Sequence, residues 1–443
     1  MKAFIIWAGI SIFLMLGGPW VTLAVAGEGD PGKSLAEPQE TREAVGPGPE
    51  AQEQADFEEE LERVQAKVAE READPDTGYI YRLFRNRENP ILGTKWSGTV
   101  FLDAPLNGEP EDSDLTVRRG RVTFHKGMGE NWRAKLSLEV SSGELEIRDN
   151  FVEYTGWNTR IVKMGVFKEP FSVESMSSAR GLMFMERSLP VAALAPGRSV
   201  GVSTLWRTAT GILSGGLFFR SPPEDGLGEA GQALAVRYVR SPLFRPENPD
   251  IGVGISFSYR TNAEAEDSRY RTLPETGVTD SRFVDTGEIA GAERILRLGI
   301  EAGSVKGSLS WQAELMALQV QRADFGDVLF LGGYISGSWF ITGESRDFDA
   351  GTGRFRQVKP LAPLGGGSKG SFELTGRISY VDLTDKDIIG GEQGNITLGL
   401  NWRPRDHIRV MANLVKVLDV DRPGNEFDGQ DPLILSLRLQ WEL

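Results

Sequence analysis

The chain of 443 residues has no cysteine and only two histidines, His125 and His407. Disulfides, thiolate nucleophiles and cysteine-ligated metals are thereby excluded, and a histidine-based metal or acid/base centre is thinly supplied. Beyond the first 30 positions there is no apolar run of about 20 residues, so a polytopic helical membrane protein is excluded as well. Nothing resembles a basic patch interleaved with exposed aromatics, and no nucleic-acid partner is expected. No serine lies in a recognisable nucleophile context, which argues against a lipase or protease and leaves no cofactor to expect.

What the sequence does have comes in three parts. Lys2, an apolar run from Ala3 to Leu16, a Gly17-Gly18-Pro19 breaker and Ala24-Val25-Ala26 have the layout of a secretory signal peptide over residues 1–26. The alternative is an uncleaved anchor, for which the apolar run is short. Residues 27–77 form an acidic segment of 16 acidic and 5 basic residues. Its first half is a Pro/Gly linker, and Phe57, Leu61, Val64 and Val68 then follow 4-3-4 spacing. That seam suits a short coiled-coil-like helix in the periplasm, although a solvated acidic helix or a disordered tail would also fit so few heptads. With Lys2 contributing one positive charge, the chain's net −14 leaves only −4 for residues 78–443, so the acidity belongs mostly to the tail.

From Thr94 to Leu443 the pattern changes to alternating segments broken by Gly, Asn, Asp and Pro clusters. Trp132, Ala134, Leu136, Leu138 and Val140 alternate with Arg133, Lys135, Ser137 and Glu139. Leu433, Leu435, Leu437, Leu439, Trp441 and Leu443 alternate with polar neighbours, resembling the closing strand of an outer-membrane barrel, although the aromatic comes two residues early. The expected fold is all-β: a transmembrane antiparallel β-barrel over residues 78–443, with about sixteen strands. Strands should start near Thr94, Leu115, Glu130, Glu144, Thr159, Arg198, Gly211, Gly231, Ile251, Arg294, Val305, Val328, Ser371, Gly394, His407 and Leu433. By parity residues 343–370 would then be a long connection at the periplasmic end, where turns are normally short. Either the loop is unusual or a strand has been miscounted between Val305 and Thr342. Trp96, Trp157, Trp206, Trp339, Trp402 and Trp441 fit aromatic girdles at both interfaces.

The stretch from Lys168 to Pro196 does not alternate, and mixes Met and Phe with Arg180, Glu186 and Arg187 before Arg198. A loop of this length is expected to fold inward and narrow the lumen, the alternative being packing on the rim. Gly165-Val166-Phe167-Lys168-Glu169-Pro170-Phe171-Ser172, Phe184-Met185-Glu186-Arg187-Ser188, and Arg198 with Gly201 resemble the phosphate-selective porin O and P family. Arg377 to Leu383 and Thr397 to Trp402 add to that resemblance, which spans residues 94–443 and leaves the acidic tail outside. It implies a sixteen-stranded homotrimer in outer-membrane lipid, with an inward third loop, conducting small anions such as phosphate. Lys168, Glu186, Arg187 and Arg198 carry over as loop or pore-mouth positions.

The alternation gives an independent reading of charge. If apolar partners face lipid, the lumen receives Arg119, Arg121, Arg133, Lys135, Lys163, Arg237, Arg297, Lys306, Arg377 and Arg438 against Glu139, Glu301, Glu314, Glu373 and Glu442. The expected path for anions joins Arg119, Arg121, Arg133, Lys135 and Lys163, read from this alternation, to Arg180 of the non-alternating loop and to Lys168, Arg187 and Arg198, which the family resemblance implies there, since basic rings select anions. A non-selective porin, or an anchor whose coiled coil tethers a partner, is the competing function.

Overall fold

The computed structural model describes residues 88–89, 94–106, 115–141, 144–208, 210–219, 231–240, 252–261, 268–349 and 351–443. The expected signal peptide and acidic helix lie outside these residues. Sixteen strands make the barrel: β1 (Thr94–Pro105), β2 (Thr116–Met128), β3 (Trp132–Ser141), β4 (Glu144–Trp157), β5 (Arg160–Lys168), β6 (Arg198–Arg207), β7 (Gly211–Phe218) and β8 (Ala233–Arg240) come first. Then follow β9 (Gly252–Thr261), β10 (Ala292–Lys306), β11 (Leu309–Arg322), β12 (Val328–Phe340), β13 (Ser371–Asp385), β14 (Ile388–Arg405), β15 (Ile408–Asp421) and β16 (Leu433–Glu442). Each pairs antiparallel with its neighbours in sequence, and β16 closes on β1 from Thr99 opposite Glu442 to Pro105 opposite Ser436. Gly98 and Leu443 exchange two backbone hydrogen bonds of 2.9 Å, sealing the seam at the end where β1 begins, called here the near end.

Period-two alternation decides which face each residue meets. In β12, Val328, Phe330, Tyr334, Ser336, Ser338 and Phe340 are buried, while Leu329, Leu331, Ile335 and Trp339 stand 42–48% exposed. An outer wall of exposed Leu, Ile, Val and Trp would drive aggregation in water, and it is matched only by hydrocarbon. All eight tryptophans among the described residues lie at the near end: the six expected in the girdles, together with Trp132 at the start of β3 and Trp311. The expectation of tryptophan at both interfaces is thus corrected to a single belt.

Two strand starts depart from expectation. β13 turns into β14 at Lys386-Asp387, where Lys386 adopts φ 54°, so a two-residue hairpin is made without glycine. The glycines at 390, 391 and 394, which suggested a start near Gly394, lie within the strand instead, and Gly391 at φ 89° follows an irregularity in the register. Between β10 and β11 the turn falls at Gly307, φ 56°, moving the expected start at Val305 to Leu309. No strand is missing between residues 305 and 342: the long connection after β12 is a true near-end segment.

The barrel is filled on one side only. The connection after β5 carries two short helices, α1 (Val173–Met176) and α2 (Leu189–Leu194), and it folds into the lumen. Phe171, Leu189, Val191 and Leu194 pack there on Tyr270, Val284 and Ile289 of the connection after β9, and on Leu318, Val320, Val328, Phe330 and Val381 of the wall. The hydrophobic core therefore lies inside, against β11 to β13, and the opposite wall is left open.

Candidate functional site

The inner loop is held by buried carboxylates. Ser172 caps α1 by accepting from Ser175 N at 3.0 Å. Ser188 precedes α2, and its backbone N and hydroxyl both donate to Glu174, at 2.9 and 2.7 Å. From the connection after β9, Glu275 accepts from Leu189 N at 3.1 Å and from Arg377, Ser379 and Thr397 on the wall. The near-end segment rises from below: Arg346 donates to Gly181 O at 2.8 Å, and Phe355 N donates to Ser177 Oγ at 3.1 Å. Three inserted segments thus meet within the barrel.

What remains open is a polar cavity of about 1580 Å³ against β1 to β6. Arg119, Arg121, Arg133, Lys135, Lys163, Lys168, Arg180, Arg187 and Arg198 all line it. Their side chains are held differently. Arg119, Arg121 and Arg148 converge on Glu139, with Arg119 Nε at 3.0 Å and Arg148 Nε at 2.9 Å. Lys135 and Arg198 share Asp149, at 2.6 and 2.8 Å. Lys163 stands over the rings of Phe151 and Phe167, at 4.3 and 5.3 Å. Lys168 donates to Ser175 O, and Arg180 reaches Glu442 at 3.3 Å. Arg187 donates to the carbonyls of Glu174, Ser175 and Ser177, so it fastens the end of α1 as well as facing the cavity. Glu186 is half-buried, and desolvation would push its carboxyl up, but Arg118 and Arg438 beside it outweigh that and hold it well below the usual carboxylate range.

Four basic residues expected in the lumen are inward-facing but differently used. Arg237 pairs with Glu301 and donates to Gly353 O at 2.7 Å, Arg377 pairs with Glu275, and Arg438 pairs with Asp103 at 2.6 Å, all beneath the inserted segments. Arg297 is 2% exposed and donates to Leu194 O at 2.9 Å. Lys306 sits exposed at the near-end rim.

Several cavity residues were beyond the reach of strict alternation. Opposite the irregularity at Phe101/Leu102, Arg118 is an extra residue between Val117 and Arg119, so both Arg118 and Arg119 meet the lumen. A second irregularity, where Leu136 and Leu138 face Asn150 and Ile147, turns both Arg148 and Asp149 inward. Arg269, Arg271, Arg282, Arg354 and Arg356 come from inserted segments, where period two says nothing. The signal available for the bulges is the unbroken Arg118-Arg119 pair itself, which an ideal strand would split between faces.

A closed sixteen-stranded barrel with a hydrocarbon-facing wall and a polar interior path defines a porin of the outer membrane. The sequence model for phosphate-selective porin O and P matches residues 95–443, and the chain belongs to that family. It is 30% identical over 310 residues to an uncharacterized protein of Caulobacter vibrioides, an alignment covering 67% of this chain and 61% of that protein's length. It is 25% identical over 374 residues to Porin O of Pseudomonas aeruginosa, covering 76% of this chain and 83% of the relative. Among solved structures, OmpF of Salmonella typhi in complex with daunomycin superposes with TM-score 0.50 at 8% identity, covering 79% of this chain and 97% of that one. An anion-selective porin from Comamonas acidovorans gives 0.46 at 13% identity, covering 79% and 99%. The likeness to OmpF concerns the fold alone.

Proposed function

We propose that this porin is a passive channel for small anions, with oxyanions such as phosphate favoured. One observation carries the reading: among the described residues, the cavity is lined by nineteen lysines and arginines against five carboxylates, Asp149, Glu153, Glu186, Glu275 and Glu288. A wall so biased raises the local concentration of anions and repels cations. Arginine suits oxyanions because its planar fork can donate to two oxygens at once. In this reading Arg119, Arg121, Arg133, Lys135, Lys163, Lys168, Arg180, Arg187 and Arg198 form the path, and no reaction is catalysed. The protein works as a homotrimer in outer-membrane lipid, exported by residues 1–26, with residues 27–77 in the periplasm and 78–443 as the barrel.

The test is the reversal potential of the purified protein in a planar bilayer under a potassium chloride gradient, with and without added phosphate. Anion preference together with concentration-dependent block of the chloride current by phosphate is expected. Cation preference would overturn the proposal, and anion preference without block would reduce it to a general anion pore.

A further inference from the structure

Glu139 is the acid that the cavity does not see. Its carboxylate is fully buried behind the wall, with 0% side-chain exposure, while Arg119, Arg121 and Arg148, which it holds, keep 16, 21 and 13%. Oε2 takes Arg119 and Arg121, and Oε1 takes Arg148 at 2.9 Å. The three guanidinium groups come from two strands, β2 and β4, and from opposite sides of Glu139 on β3. Both bulges described above fall at this cluster, so the backbone is distorted where it lets these arginines reach one acid.

We propose that Glu139 is a positioning residue that sets how tightly the channel holds an anion, an inference that rests on the anion-path reading above. Conduction needs a site strong enough to admit an ion and weak enough to release it. Three arginines unopposed in a partly desolvated wall would retain an oxyanion. A buried counter-charge cancels part of their field and, by occupying one edge of each guanidinium, turns the remaining donors toward the lumen.

The experiment measures phosphate block of chloride current in bilayers for the full-length wild type, Glu139→Gln, and the compensated Glu139→Gln/Arg148→Gln. Glu139→Gln should lower the half-blocking phosphate concentration by about tenfold and lengthen each block, while the compensated variant returns to within about twofold of wild type. Unchanged or weaker block in Glu139→Gln would overturn the inference. Should that variant fail to assemble, the compensated one decides: if Glu139 were silent, loss of Arg148 alone would weaken block by about tenfold. If the wild type itself shows neither anion preference nor block, the channel reading fails instead, which keeps the two failures apart.

Discussion

At the scale of single residues, strand periodicity turns many of the cavity's cations inward, and their partners then fix where the charged ends sit. Arg198 is 9% exposed and donates to Asp149, the acid that Lys135 also holds. Replacing it by glutamate sets a second carboxylate beside Asp149 and changes the local charge by two units. We expect Arg198→Glu to lower the anion-to-cation permeability ratio by about tenfold, read from the reversal potential. Arg187→Glu should also lower it, and in addition should raise current noise, because the carbonyls of Glu174 and Ser177 lose the Arg187 donor and that of Ser175 keeps only Lys168. Glu186 makes a prediction about pH. Its folded value lies below the ordinary 4.5, so the stability it contributes is present above that value and is lost only as pH falls through the depressed one. The inner loop should therefore stay seated in mild acid, and single-channel conductance at about pH 4 should match that at pH 7; a step change between them would show that the ion pairs of Glu186 do not fasten the loop.

At the scale of elements, alternation exposed nearly the whole barrel, because each strand has one face in hydrocarbon and a shift of one residue would reverse both faces. It failed where the backbone leaves period two. The turn at Lys386-Asp387 escaped notice because a lysine takes the left-handed conformation that glycine usually supplies, while nearby glycines mark an irregular strand. The bulges hid Arg118 and Arg148 for the same reason, and the inserted segments carry no period at all. The inner loop was readable from its length and its Met, Phe and Arg content, but its seat was not, since that depends on contacts such as Gly181 against residues 356 and 357. A Cβ at Gly181 would lie 2.9 Å from Arg356 O and 3.0 Å from its carbonyl carbon. Gly181→Ala should thus push the near-end segment off the inner loop at a cost of about 1–3 kcal/mol, lowering the thermal transition of the detergent-solubilised barrel and widening the spread of open-channel currents. A sharp current distribution and an unchanged transition would mean that the two segments do not brace each other.

At the scale of the whole molecule, charge is divided by place. The chain carries −14 overall, but the tail over residues 27–77 holds 16 acidic and 5 basic residues, whereas the cavity wall is strongly basic. A calculation from total charge would have assigned the wrong ion to the channel, because the field acting on a permeating ion comes from groups within about a Debye length, roughly 8–10 Å at physiological salt. Among the described residues, the barrel sheet is closed by its own β1–β16 pairing, and its core is made with its own inserted segments. Removing residues 27–77 while keeping the export signal should therefore leave single-channel conductance and reversal potential unchanged. If the seam at Phe57, Leu61, Val64 and Val68 joins three copies, the same deletion should lower the temperature at which the detergent-solubilised oligomer separates into monomers, with no change in current per channel. A loss of ion selectivity in the truncated protein would place part of the permeation field in the tail and contradict this division of charge.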